Sequence, residues 1–466
     1  MFSFRDASAA LGVPLQLDNP QSHACGASLD SRKIRPGELF VALPGVRTDG
    51  HIYLGAAFQN GASGALILDS YWVEHREKWV AEPRSIFNLL PVPHVEVGLQ
   101  RLADWNRSRF CGILVAVTGS VGKTTTKEFI HYLLGQKLKG RASSGNLNNH
   151  LGVPLTLLGI DPEDGYGVCE LGANHPGEIR GLSQLARPTI AVITRIAPAH
   201  LEGFGSLAAI YKAKLEILEG MKAGDAVIVP DDDSKLIAKV RTGGFRPVKV
   251  GSAKGSDYRL QNVRASDGLV KFEVNGKDFS FDGHAAFLAQ NAALAVAAAE
   301  VGGFPIADMP SHWVISAFPQ GRFQLSRVGE WSLIDDTYNA SPRAFAAALK
   351  TFDEMKAGDR KVLVFSDMLE LGKDSRAYHE RLGEAIAETG VENIFAYGPQ
   401  SRFALESLRG KRRAVNCRHF PDMEDLQNFL AGFLRAGDII LLKGSRGMRV
   451  DRVVDFLKGF SSKEKK

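Results

Sequence analysis

The chain has 466 residues, with 57 lysines and arginines against 52 aspartates and glutamates, a formal charge of +5. At roughly 150 residues per domain that length gives room for about three domains, each able to bury its own core, which excludes a small stapled scaffold. A composition 44% hydrophobic and 23% charged excludes a disordered or collagen-like chain, and the interleaving of basic with acidic residues argues against a nucleic-acid partner.

In chain order, residues 1–105 read as a small α/β unit, with strands Phe40 to Leu43 and Ala65 to Leu68 around a helix Tyr53 to Asn60. A helix from Leu99 to Arg107 leads out of it. Residues 106–320 carry strands Ile113 to Val117, Tyr166 to Leu171, Ala191 to Ile196 and Ala226 to Val229, a helix Leu207 to Leu218, and an Ala-rich helix after Asn291. Pro305, Pro310 and Pro319 punctuate the approach to a junction at Gln320 and Gly321. Residues 321–466 give strands Ser332 to Ile334, Lys361 to Phe365, Ile394 to Tyr397 and Ile439 to Leu442, and end in a charged, solvated tail, Lys463 to Lys466. Short apolar runs alternating with helical patterns predict an α/β protein with mostly parallel sheets.

Cys25, Cys111, Cys169 and Cys417 lie far apart with no Cys-x-x-Cys pair, so neither a zinc site nor a disulfide framework is expected. Met1 to Asn19 has no basic segment followed by an apolar core, and the longest apolar stretch, Ala285 to Val301, is broken by Gln290 and Asn291. A cytoplasmic protein without a membrane span follows.

The sharpest signal is Thr118-Gly119-Ser120-Val121-Gly122-Lys123-Thr124-Thr125, between the strand ending at Val117 and a helix carrying Phe129, Ile130, Leu133 and Leu134. This order of strand, glycine loop and helix is that of a phosphate loop. Loop and helix-terminal N–H groups offer an anion site, Lys123 can reach terminal phosphates, and the Thr124 hydroxyl can ligate Mg²⁺. The generic pattern places glycine where Val117 stands, so the loop is a shortened variant.

Glu170 closes one strand before Leu171-Gly172-Ala173-Asn174-His175, and Ala191 to Ile196 leads into a loop with His200, so both sit at sheet carboxyl edges, where α/β proteins bind ligands. They are either cation ligands beside the phosphates or solvated capping residues. A protonated Lys214 cannot bind a metal. It either meets a phosphate, becomes an anionic ligand on carbamylation by CO₂, or is an exposed helix lysine paired with Glu216 or Glu219. Asn146, Asn148, Asn149 and His150 make a polar patch that is either a site or a plain turn. Asp335-Asp336-Thr337-Tyr338-Asn339 and Lys443-Gly444-Ser445-Arg446-Gly447 again follow strands. Adjacent strand residues point to opposite sides, so one of the two aspartates faces a ligand.

Together these stretches resemble the bacterial Mur ligase family across essentially the whole chain. The family's shortened loop is Thr118 to Thr125, its Glu-Leu-Gly-Ala-Asn is Glu170 to Asn174, its Ala-His-Leu-Glu-Gly-Phe-Gly-Ser is Ala199 to Ser206, and its Ala-Lys-x-Glu-Ile is Ala213 to Ile217. Asp30-Ser31-Arg32, Pro36 to Leu43 and Asp49-Gly50-His51 resemble its uridine-holding domain, and Gly321-Arg322, Asp336 to Ala340 and Asp367 to Gly372 its C-terminal elements. Ser366 stands where glycine commonly precedes the Asp-Met pair, and Phe287 where histidine often precedes Asn291 by four residues.

The resemblance implies three α/β domains: a UDP-sugar-binding domain at 1–105, a central P-loop ATPase-like domain at 106–320, and a Rossmann-like domain at 321–466 that binds the incoming dipeptide and closes over ATP. It implies an ATP- and Mg²⁺-dependent ligase that joins D-alanyl-D-alanine to UDP-N-acetylmuramoyl-tripeptide through an acyl phosphate, acting as a monomer in peptidoglycan synthesis. Ser31, Arg32, Asp49 and His51 would hold the UDP substrate; the loop Thr118 to Thr125 with Asn148, Asn291, Arg322, Asp336 and Asn339 would hold ATP. Lys123, Glu170, His200 and Lys214 would be catalytic, and Thr124, Glu170, His200 and a carbamylated Lys214 would hold metal. The alternatives are a ligase adding the third amino acid to the muramoyl dipeptide, a folylpolyglutamate synthase-like ligase, and a P-loop regulatory NTPase. The first rival's Asp-Asn-Pro-Arg is missing from the sequence, the second lacks the uridine domain, and the third leaves Glu170 and His200 without a task.

Overall fold

Three parallel-rich sheets follow one another along the chain in the computed structural model, which describes residues 1–16, 22–45, 48–81, 87–315, 320–355, 360–412 and 414–463. Pro319 and the tail residues Glu464, Lys465 and Lys466 lie outside the described residues. A short antiparallel pair, β1 (Phe2–Ser3) and β2 (His23–Ala24), precedes a four-stranded parallel sheet of β3 (Ala27–Ser28), β4 (Leu39–Val41), β5 (Gly64–Leu68) and β6 (Asn88–Val92). The last of these is not apparent in the sequence because Pro91 interrupts it, and proline is tolerated there because β6 is an edge strand.

The second sheet has ten strands. Those in chain order are β7 (Ile113–Thr118), β8 (Gly140–Ala142), β9 (Tyr166–Glu170), β10 (Ile190–Ile193), β11 (Ala226–Pro230), β12 (Arg246–Gly251), β13 (Tyr258–Ser266), β14 (Leu269–Val274), β15 (Lys277–Asp282) and β16 (His312–Trp313). They lie side by side in the order β16-β15-β14-β13-β12-β11-β10-β7-β9-β8. From β13 across to β8 every neighbouring pair is parallel, and β13, β14 and β15 form an antiparallel meander. Leu114 to Val117 are fully buried, the continuous apolar run of a parallel strand covered on both faces. Val115 and Val117 pack with Phe129, Ile130 and the Ala-rich helix Leu288–Val301, while Leu114 and Ala116 join the core beneath the N-terminal domain. That helix is apolar all round because it is enclosed all round.

The third sheet has the order β17-β18-β22-β19-β20-β21, comprising β17 (Gln324–Val328), β18 (Trp331–Asp336), β19 (Lys361–Ser366), β20 (Asn393–Tyr397), β21 (Asn416–Phe420) and β22 (Ile439–Lys443). Only its β17–β18 pair is antiparallel among the described residues. The chain is therefore α/β with mostly parallel sheets, in three successive parts. No described helix is long and apolar enough to cross a membrane.

Four details differ from expectation. The helix Val95–Arg109 is longer than Leu99 to Arg107 and runs across the 105/106 junction. The strand expected to reach Ile196 ends at Ile193, because Thr194 turns to donate its hydroxyl to the Val121 carbonyl at 2.6 Å. The helix Leu207–Leu215 tightens to a 3₁₀ turn from Glu216. The meander is absent from the expected strands although its turns, Asp267-Gly268 and Asn275-Gly276, are hairpin signals with positive φ at all four residues.

Candidate active site

The carboxyl ends of β7, β9 and β10 face those of β18 and β22 across a cavity of about 900 Å³. Ser120 to Thr125, Asn148, Glu170, His200, Asn291, Arg322, Asp336 and Asn339 all line it. Val117 pairs with Glu170 inside the sheet, so the strand itself occupies the place where a longer loop would have its first glycine. Thr118 closes the strand by donating its hydroxyl to the Leu171 carbonyl at 2.8 Å. The two loop glycines are required: Gly119 has φ 147° with Thr194 Oγ1 occupying the space a Cβ would need, and Gly122 has φ 86° with Asn291 Oδ1 at 2.7 Å from that position. Gly122 caps the helix Lys123–Gly135 without a side-chain bond, which leaves the helix N-terminal amides to the loop.

Lys123 donates its Nζ to the Gly119 carbonyl at 2.9 Å, and the surrounding protein pushes its ammonium below the ordinary lysine range. Thr124 Oγ1 accepts a hydrogen bond from Arg322 Nη2 at 2.9 Å, and the Arg322 guanidinium lies 4.2 Å over the Tyr338 ring. Asp336 pairs with Lys443 at 2.6 Å. Burial raises the Asp336 carboxyl against that partner's pull. Its neighbour Asp335 instead accepts from the Thr337 N–H and hydroxyl, at 3.1 and 2.6 Å. In the sequence Lys443 is only part of a strand-end motif, and nothing there signals its pairing with Asp336. Asn339 presents an exposed side chain whose Oδ1 accepts from the Ala340 N–H.

Glu170 is 2% exposed; its Oε1 accepts from Asn148 Nδ2 at 2.8 Å, and its Oε2 is buried with no hydrogen-bond partner. An orphaned carboxylate oxygen and a threonine hydroxyl from residues lining the same cavity are hard-oxygen donors of the kind Mg²⁺ prefers. Among the described residues no three His, Cys, Asp or Glu side chains converge, so a cation here would draw its other ligands from phosphate oxygens and water. Asn149 serves the turn instead, its Oδ1 accepting from the Leu151 and Gly152 N–H groups at 3.2 and 2.9 Å.

His200, at φ 52°, caps the short helix Leu201–Phe204, and its Nδ1 meets the Glu370 carboxylate of the C-terminal part. That contact lowers the Glu370 carboxyl. Lys214 lies behind the cavity rather than on its lining, 2% exposed, with its Nζ 5.5 Å from the Phe204 ring centre. Burial, and then the nearby Lys123 charge, push it down to about 7. The reading of an exposed lysine paired with Glu216 or Glu219 is overturned: Glu216 accepts from the Gly177 and Arg180 N–H groups, and Glu219 pairs with the Arg180 guanidinium at 3.0 Å.

The N-terminal residues lie outside this cavity. Arg32 is bound bidentately to Asp30, at 2.8 Å for both bonds, with its side chain 83% exposed. Ser31 is buried, and its carbonyl accepts from Asn60 Nδ2. His51, also expected at the UDP substrate, is enclosed in this structure. It is 2% exposed, its Nε2 accepts from the Leu68 N–H at 3.0 Å, and its Nδ1 is left to donate to Asp49 at 2.5 Å. In this arrangement it braces the exposed Asp49.

Phe287, in place of the expected histidine, packs edge-on against Phe323 at 5.7 Å. Ser366 is the extended last residue of β19, paired with Tyr397, so no special backbone angle depends on glycine there.

Residues 117–299 match the family model of the Mur ligase middle domain, and residues 321–446 that of the Mur ligase, glutamate ligase domain. The chain is 32% identical to the UDP-N-acetylmuramoyl-tripeptide–D-alanyl-D-alanine ligase of Bacillus subtilis, over 94% of each chain. It is 35% identical to the Escherichia coli protein of the same name, over 91% of this chain and 92% of that one. Among solved structures, MurF from Acinetobacter baumannii superposes with a TM-score of 0.79 at 27% identity, covering 98% of this chain and 99% of that one. MurF ligase from Thermotoga maritima in complex with ADP gives 0.74 at 28% identity, over 95% and 99%.

Proposed function

Since the chain belongs to the Mur ligase family, we propose that it joins D-alanyl-D-alanine to UDP-N-acetylmuramoyl-tripeptide with cleavage of ATP to ADP and phosphate, forming the pentapeptide nucleotide for peptidoglycan synthesis. The observation that carries this reading is the gathering of the phosphate loop, Glu170, His200 and the Asp336–Lys443 pair, from two parts of the chain, around one cavity. A regulatory NTPase would not need the second wall.

The terminal carboxylate of the tripeptide attacks the γ-phosphorus of ATP, and the bond to the ADP oxygen breaks. The dipeptide amine then attacks the acyl phosphate carbon, loses a proton, and the tetrahedral intermediate expels inorganic phosphate. Lys123 and the loop amides hold the phosphates and stabilise the charge that builds on them. To do so Lys123 exchanges its bond to Gly119 for a phosphate oxygen. Mg²⁺ would supply charge neutralisation, held by Thr124 and Glu170, with His200 and a carbamylated Lys214 toward a second ion. Lys214 suits that modification because a displaced pKa leaves part of its amine neutral and able to attack CO₂.

Asn148 orients Glu170, and Asn291, Arg322, Asp336 and Asn339 bound the nucleotide. Arg322 and Asp336 arrive from the C-terminal part, whose closure excludes water from the acyl phosphate. Arg32 and Asp49 are the exposed groups for the uridine diphosphate, with Ser31 behind them. We take the functional units as 1–105, 106–320 and 321–466, in a cytoplasmic monomer.

Turnover of ATP should require both a UDP-muramoyl peptide and an amine, and among several peptides and amines it should be fastest with the tripeptide and D-alanyl-D-alanine. ATP hydrolysis independent of the amine would return the chain to the regulatory class. A preference for the dipeptide nucleotide and a single amino acid would assign it to the preceding ligation.

A further inference from the structure

The loop Asp367–Gly372 of the C-terminal part docks directly onto the loop of the central part that carries His200. Its base is held firmly. Asp367 accepts from the Gln400 and Ser401 N–H groups, the Met368 N–H donates to His379 Nε2 at 3.0 Å, and the Leu369 N–H donates to Ser445 Oγ at 2.9 Å. His379 is itself fully buried, with its Nδ1 facing the Ser375 carbonyl at 2.7 Å. From this base Glu370 projects in a left-handed conformation, φ 62°, and meets His200, also left-handed at φ 52°. The contact is doubled: the Glu370 carboxylate takes His200 Nδ1, and the Glu370 carbonyl accepts from the Glu202 N–H at 3.1 Å. The backbone half of that contact fixes the two loops against each other whatever the side chains do. Gly372 lies alongside, where a Cβ would be 3.6 Å from Glu202 Cα.

We infer that Glu370 is a positioning residue for His200, and that closure of the C-terminal part on the central part is what fixes the imidazole's tautomer. A carboxylate can only accept, so Nδ1 carries the proton and Nε2 keeps a lone pair for the cavity. A carboxylate behind a histidine is a common way to orient that ring and raise its basicity toward a cation. Here the carboxylate comes from a different part of the chain, so His200 is fully oriented only when the parts are together. Assembly of the site and exclusion of water then become one event.

The inference rests on the proposed ligase reading only through its kinetic arm. Glu370→Ala should raise the apparent Mg²⁺ activation constant about tenfold. Its thermal unfolding midpoint should be unchanged, because the side chain is 53% exposed. Glu370→Gln keeps an acceptor oxygen and should restore most of the loss. In a second arm, nitrogen NMR of the ¹⁵N-histidine-labelled full chain, with His200 identified through His200→Asn, should show the Nδ1–H tautomer in the wild type and a mixture in Glu370→Ala. Unchanged tautomer populations in Glu370→Ala, or equal Mg²⁺ defects in the Gln and Ala variants, would overturn the proposal. A wild-type chain that fails to ligate while the tautomer still shifts would refute the ligase reading and leave this one standing.

Discussion

Lys123 and Arg32 are both cations assigned to phosphate groups, yet the molecule treats them in opposite ways. Lys123 sits at the cavity wall, bonded to its own loop's Gly119 carbonyl, with protein around it lowering its pKa. Arg32 stands in solvent, bound to a carboxylate two residues away. The first has a single neutral carbonyl of its own loop to give up for a phosphate oxygen, so little rearrangement precedes that contact. The second must give up a bidentate partner before it can take another, so its site is adaptable and its contribution falls on binding rather than on the chemical step.

The largest effect should come from the Lys123 side. Lys123→Ala should cut kcat by about 10²–10³-fold, on the scale of removing one group that stabilises transition-state charge, with circular dichroism unchanged. A near-normal kcat would show that the phosphate loop does not need its cation. Lys214→Ala, behind the same cavity, should cost about 10- to 100-fold. Formate or acetate in excess should restore part of that loss by taking the place of the carbamate oxygens. Wild-type activity in this variant, with a bare amine in crystals of the metal-loaded complex, would remove Lys214 from the mechanism.

On the adaptable side, Arg32→Ala should raise KM for the UDP-peptide about tenfold, equivalent to about 1.4 kcal/mol of binding, and leave KM for ATP and kcat nearly unchanged. Equal shifts in both KM values would dissolve the contrast between the two cations. The smallest effect is a titration. The Arg32 hydrogen bond holds the Asp30 carboxyl at about 2 rather than the ordinary 3.8. Because the folded value lies below the unfolded one, the pair adds its small stabilisation above about pH 4 and loses it as pH falls through about 2. Carboxyl NMR should follow this midpoint, and Arg32→Ala should return it toward the ordinary value.

The same contrast explains what could be read from the sequence. Backbone-built features carry their own signatures: Gly119 and Gly122 are glycines because any Cβ would strike Thr194 or Asn291, and the apolar run Leu114 to Val117 announces a strand buried on both faces. Features built by tertiary pairing leave no such trace. Nothing local distinguishes His51, which is enclosed between Asp49 and the Leu68 amide, from a histidine open to ligands. Lys214 sits on a helix among charged neighbours, and only the packing over Phe204 reveals that it is buried. The pairing of His200 with Glu370, 170 residues apart, depends on how two parts of the chain meet. The meander is legible in principle through Asp267-Gly268 and Asn275-Gly276, but Asn262, at φ 53° beside a register shift, breaks the alternation that would mark its first strand.

Ser366, at the end of β19, has a consequence for which substitutions the chain can still accept. A Cβ at Gly444 would collide with Ser366 Oγ and lie 2.7 Å from Val450 Cγ2. The serine therefore fills space that only a glycine at 444 leaves free, and the two positions, on adjacent strand ends but far apart in sequence, are no longer independent. Alanine at 444 should therefore cost more beside Ser366 than beside a glycine at 366, and the Val450 methyl crowds it in either case.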